Sequence, residues 1–248
     1  MKKTKNRYFG LIALFLISVS IGRAQKIVIV STNVDRLNNE SNGTFLMEIA
    51  YPFSVFTKAG YDVDILTPKG GRAAIYHRGE LNDDLNKIQQ DEKFKQKTEN
   101  SFSPKEINTS EYSGIFYPGG GGQFYDVVDN AEISSIASRI YEKGGIIGAA
   151  GHGPASLINV KLSNAEFLVR NKKITCFPKA YSAKWLPFDW EEILKQRGAE
   201  VIIPTTAIEK DKGVQLVDKE TRIVTGSFAE NAQWVAEQMV RLIKSERK

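Results

Sequence analysis

Residues 144–154, Gly144-Gly145-Ile146-Ile147-Gly148-Ala149-Ala150-Gly151-His152-Gly153-Pro154, read as a short strand that stops at a glycine-flanked turn. Apolar residues without polar alternation are what a strand covered on both faces requires. Pro154 suits the first turn of a helix, because its missing N–H is not needed there. Strand, sharp turn and helix together make the geometry of a nucleophile elbow, which presents its apex residue at the end of a sheet. The apex here is Gly151, which has no side chain with which to attack.

The same pattern extends outward in both directions. KIVIVST (26–32) is a β-branched apolar run and the expected first strand. TFLMEIAYPFSVFTKAG (44–60) has apolar residues at helical spacing and ends at Gly60, with Pro52 expected to kink or break it. YDVDILTP follows as a strand, then a polar stretch at about 69–105 whose DDLNKIQQDEKFKQKTEN suggests an exposed helix on an insertion. YSGIFYPGGGG is a strand that stops at four glycines, and a helix is expected from about Ala131 to Lys143. Beyond the elbow, NKKITCFP reads as a strand ending at Pro178, and WLPFDWEEILKQRGAEVIIP as a helix and a strand. VQLVDKETRIVTG reads as a hairpin turning near Asp218 to Glu220, and NAQWVAEQMVRLIKSE as the closing amphipathic helix. Alternating strands and helices predict an α/β three-layer sandwich, a mainly parallel sheet with helices on both faces and its site at the carboxyl ends of the strands.

The chain has 248 residues, 42% hydrophobic and 25% charged, enough for one substantial core. Lys2, Lys3, Lys5 and Arg7 precede an uncharged apolar run from Tyr8 to Ile21, followed by Gly22-Arg23-Ala24. A basic start, a short apolar run and small residues at a cleavage point describe an export signal over 1–24, which predicts a periplasmic or secreted protein. The alternative, a retained membrane anchor, would need a span of ~20 residues. Without the segment's five basic residues, 29 Lys and Arg face 29 Asp and Glu. The mature chain, 25–248 and expected to be a single domain, thus has no net positive charge with which to attract nucleic acid or an anionic membrane. A lone cysteine, Cys176, excludes an internal disulfide. Two histidines, His77 and His152, without CxxC or HExxH spacing provide no metal ligand set, and no cofactor is implied.

Five ordered blocks resemble the DJ-1/PfpI superfamily, of the class I glutamine-amidotransferase-like (flavodoxin-like) fold, and especially its Hsp31-like branch of chaperone and glyoxalase proteins. They are GTFLMEIAYPFSVFTKAGYDVDILTPKGG (43–71), IFYPGGGGQFYDV (115–127), AAGHGPASL (149–157), LPFDWEEILKQRGAEV (186–201) and IVTGSFAENA (223–232). The resemblance implies roles residue by residue. Glu48 stands at the position of the elbow-facing glutamate, Gly151 at that of the nucleophilic cysteine, and His152 at that of the histidine following it. Gly121 stands where Hsp31-like members carry the histidine of a GGHG motif, and the acidic residue that orients the catalytic histidine falls near Ser182. Glycine supplies no thiolate, so covalent catalysis is absent. The resemblance then implies a protein that retains binding of a small molecule or of unfolded protein clients, in a chaperone-like or stress role and as a homodimer. The alternative is a non-covalent hydrolase or lyase, of glyoxalase, deglycase or amidase type, that uses Glu48 and His152.

Glycine at the apex can adopt positive φ at little steric cost. Backbone N–H groups around Gly120, Gly121, Gly151 and His152 are the expected anion-binding or ligand-binding groups. Glu48 is expected to be buried or half-buried and His152 to act through structural hydrogen bonding, with His77 an exposed loop residue. Cys176 reads as a small buried hydrophobe rather than a displaced nucleophile. Trp185, Phe188 and Trp190 read as packing for the following helix.

Overall fold

The computed structural model describes residues 26–182 and 186–245. The expected export signal and Trp185 lie outside the described residues. Six strands form the central sheet: β1 (Lys26–Val30), β2 (Asp62–Leu66), β3 (Tyr112–Tyr117), β4 (Ile146–Ala150), β5 (Gln215–Asp218) and β6 (Ile223–Gly226). Their spatial order is β5-β6-β4-β3-β1-β2, and every pairing is parallel except β5 with β6. The chain leaves β1 toward β2 and returns on the other side as β3. That reversal opens a crevice at the carboxyl ends of β1 and β3, where open α/β sheets hold ligands.

Among the described residues the helices of seven residues or more are α1 (Leu46–Lys58), α2 (Asp83–Gln90), α3 (Glu92–Glu99), α4 (Ala131–Glu142), α5 (Trp190–Gln196) and α6 (Ala232–Ser245). One core forms between the sheet and α1 and α6, through residues such as Phe53, Phe56, Val235 and Met239. The other forms beneath α4 and α5, through Ile136, Ile140, Trp190 and Leu194. The three-layer α/β architecture read from the sequence is therefore present, with helices on both faces. No helix among the described residues is long and apolar enough to cross a membrane.

Three expectations are corrected. Pro52 does not break α1, which runs without interruption through it. Proline removes one N–H donor, and its partner four residues back would have been the Glu48 carbonyl, so the loss is confined to one bond. NKKITCFP does not join the main sheet: only Lys173–Ile174 is strand, paired with Glu200–Val201. The Phe177 N–H donates instead to the Gly151 carbonyl at 2.8 Å, and the Thr175 N–H to Thr225 Oγ1 at 3.0 Å. Two helices replace the one expected on the polar stretch, because Asp91 ends α2 and caps α3 by accepting from the Phe94 N–H. Leu85 and Phe94 bury their side chains in the α1 core, so neither helix is merely a solvated face.

Candidate functional site

Glu48 lies in the first turn of α1 and is 3% exposed. Helical spacing explains its direction: Leu46, Ile49, Ala50 and Phe53 commit that face of α1 to the sheet, and Glu48 shares the buried side near the strand ends. Its Oε2 accepts a hydrogen bond from the Gly119 N–H, in the loop that follows β3. Burial pushes the carboxyl up to about 8, against the pull of the Gly119 N–H and with a further upward push from the Glu230 charge. Glu48 is therefore mostly protonated at neutral pH. With Oε2 accepting, Oε1 is the oxygen left to carry the proton.

Gly151 ends β4 with φ +54°, the left-handed region that glycine enters without penalty. A Cβ at residue 151 would stand 2.5 Å from Glu48 Oε1 and 2.9 Å from Oε2. A side chain at the elbow would therefore require the Glu48 carboxyl to shift. Both backbone groups of Gly151 are engaged, its N–H by the Gly226 carbonyl at 3.0 Å and its carbonyl by Phe177. Gly151 is therefore not a free donor for an anion, and its contribution is the space it leaves.

The glycine loop approaches equally closely. A Cβ at Gly119 would lie 2.7 Å from the His152 backbone nitrogen, and one at Gly120 (φ +129°) 2.8 Å from Thr44 Cα. Gly121 is buried in the turn that follows, where its carbonyl accepts from the Phe124 N–H at 3.4 Å. A histidine side chain of the GGHG type has no counterpart there.

His152 follows the elbow, half-buried among three rings: Phe177 at 4.6 Å between centroids, Trp190 at 5.1 Å and Phe124 at 5.6 Å. Desolvation among these groups, then the Lys179 ammonium, pushes the imidazole down to about 4. Its Nε2 lies 3.0 Å from Ser182 Oγ. The structure therefore brings together Glu48, Gly151, His152 and Ser182, with the loop of Gly119 to Gly121 against them. At neutral pH the site holds a protonated carboxyl and an unprotonated imidazole, an acid and a base whose surroundings drive them in opposite directions.

Other candidates lie elsewhere or act as packing. Cys176 is fully buried, and burial first, then the Glu191 charge, pushes its thiol far above the usual range. Trp190 is fully buried, and its Nε1–H donates to the Phe177 carbonyl at 3.0 Å. His77 is half-buried and stacks on Phe45 at 5.6 Å, so it is not the exposed loop residue expected. Sequence reasoning missed Gly119 as the partner of Glu48, since a run of four glycines does not say which N–H points inward. It also missed Phe124, Phe177 and Lys179 around His152.

The family model described as the DJ-1/PfpI family matches residues 40–240. Glutathione-independent glyoxalase hsp3102 of Schizosaccharomyces pombe is 26% identical over 220 residues, 82% of this chain and 90% of its own length. Glutathione-independent glyoxalase HSP31 of Saccharomyces cerevisiae is 32% identical over 143 residues, 54% of this chain and 60% of its own. Among solved structures, Rapid Encystment Protein 24 KDa of Francisella tularensis has a TM-score of 0.77 at 27% identity, covering 88% of this chain and 99% of that one. Glyoxalase III of Candida albicans has a TM-score of 0.74 at 23% identity, covering 88% and 97%, a likeness of fold.

Proposed function

The chain belongs to the DJ-1/PfpI family, and from that premise we propose that it is an exported Hsp31-like member that has lost cysteine-dependent catalysis. In this reading the elbow is left as a small-molecule pocket, and the protein serves a chaperone-like or stress role toward unfolded protein clients, independent of Glu48 and His152, as a homodimer. One observation carries it: the Glu48 carboxyl stands 2.5 Å from where a Cβ on residue 151 would be. The apex itself offers no side chain to attack, and one placed there would have to displace that carboxyl. The likeness to glyoxalases supports the branch. The purified mature protein, incubated with methylglyoxal, is expected to form no lactate above the buffer rate. It is also expected to suppress client aggregation, and to do so unchanged in a Glu48→Ala, His152→Ala double variant. Lactate formation that disappears on Glu48→Ala would falsify the reading.

A second reading, a non-covalent hydrolase or lyase of glyoxalase, deglycase or amidase type, is favoured by a separate observation. Glu48 and His152 are held near 8 and near 4, so both are in the form that acid–base catalysis needs between those values. It predicts a bell-shaped pH profile with limbs at about 4 and about 8, unaffected by thiol reagents. A single limb, or loss of rate on alkylation, would exclude it.

A further inference from the structure

We propose that Ser182 is a positioning residue for His152: its hydroxyl receives the Nε2 proton of the imidazole, holds the ring in one neutral tautomer and leaves the Nδ1 lone pair as the acceptor. The base role of that lone pair rests on the acid–base reading above; the tautomer does not.

A serine hydroxyl has one proton to give. Ser182 Oγ lies 3.2 Å from the Pro178 carbonyl oxygen, which can only accept. With the hydroxyl proton given to Pro178, the 3.0 Å contact between Ser182 Oγ and His152 Nε2 is the one a ring N–H makes. The backbone fixes this arrangement. The Tyr181 N–H donates to the Pro178 carbonyl at 3.0 Å and the Ser182 N–H to the Lys179 carbonyl at 3.1 Å, closing a tight turn that aims the hydroxyl at the ring.

A carboxylate in the place of Ser182 would accept the same proton and also stabilise an imidazolium. A hydroxyl carries no charge, so it orients the ring without supporting a cation. The other neighbours of the ring agree with this. Phe177, Trp190 and Phe124 wall it with carbon. Among the described residues the charge that bears on it is the Lys179 ammonium, which opposes protonation. The nearby carboxyls are spent elsewhere: Glu191, on α5, accepts from the Lys179 backbone N–H, and Glu48, on α1, from Gly119. Exchange of an acid for Ser182 thus converts a histidine that can be held charged into one held neutral.

Imidazole nitrogen NMR tests this directly, because the chain has two histidines and a His77→Gln variant assigns the signals. The wild-type protein is expected to show the Nε2–H tautomer for His152, with no titration above about pH 5. Ser182→Thr, which keeps a hydroxyl, is expected to preserve that pattern. Ser182→Ala is expected to lose the fixed tautomer, and Ser182→Asp to raise the midpoint by at least about one pH unit. A wild-type Nδ1–H tautomer, a midpoint near the ordinary ~6.5, or an unchanged tautomer in folded Ser182→Ala would overturn the assignment. Should the Ser182 variants fail to fold, the wild-type spectrum alone decides. The spectrum reads the ring whether or not the protein turns over a substrate, so its outcome is separate from that of the acid–base reading.

Discussion

Gly151 and Glu48 work as a pair, since the room left by one is filled by the carboxyl of the other. Gly151→Ala should therefore cost about 1–3 kcal/mol, from the left-handed backbone and from displacement of a buried carboxyl, as measured by urea unfolding. For the same reason Gly151→Cys alone should not restore activity: its Cβ meets Glu48 before its sulfur meets a substrate. The protonation of Glu48 gives a further prediction. Its carboxyl rises from an ordinary 4.5 to about 8 on folding, so the folded state holds the proton more tightly and this stabilisation fades as pH rises toward 8. His152 falls from 6.5 to about 4, so its contribution is present above 6.5 and is lost as pH falls through 4. The two slopes oppose each other between about 4.5 and 6.5, and Glu48 acts alone between about 6.5 and 8. Stability should decline across that upper window by up to about 1.4 kcal/mol per pH unit. Urea midpoints for Glu48→Gln should not show this decline; an equal slope in both proteins would mean that another group carries it.

At the scale of elements, the polar stretch between β2 and β3 is built into the sheet edge rather than appended to it. The Phe102 N–H donates to the Ile65 carbonyl at 2.8 Å, and the Thr67 N–H to the Phe102 carbonyl at 3.0 Å, which covers part of the open side of β2. Lys97 of α3 reaches the buried Asp64 at 2.6 Å, where Lys26 (3.2 Å) and the Tyr112 hydroxyl (2.8 Å) also converge. Asp64→Ala should cost about 3 kcal/mol in a denaturant titration and speed hydrogen exchange in α3 before the rest of the chain. Uniform exchange across the molecule would show that α3 is not latched there. The strands of the main sheet were legible because β-branched apolar runs such as KIVIV and IIGAA have few alternatives to a doubly covered strand. NKKITCFP carries a similar run, but its N–H groups are taken by Thr225 and Gly151, partners distant in sequence that no local pattern reveals. In the same way α2 and α3 each bury a single large apolar residue, Leu85 and Phe94, too few to mark a buried face by periodicity. At the site, Glu48, Gly151 and His152 were legible through the motifs around them. Their electrostatics were not, because these depend on Gly119, Lys179 and the aromatic wall.

For the whole molecule, membership of the DJ-1/PfpI family supplies the scaffold, and this chain's own residues decide what remains possible on it. The sole cysteine is fully buried, in the same core cluster as Trp190. Native protein should therefore react with a thiol reagent only at its rate of opening, and addition of denaturant should accelerate labelling in step with unfolding; immediate native labelling would contradict the burial of Cys176. The proposed absence of thiol chemistry is tested most directly by lactate release from methylglyoxal. Wild-type protein and Cys176→Ser are predicted to be alike, both at the buffer rate; lactate formation abolished by iodoacetamide, by Cys176→Ser or by Glu48→Ala would contradict it.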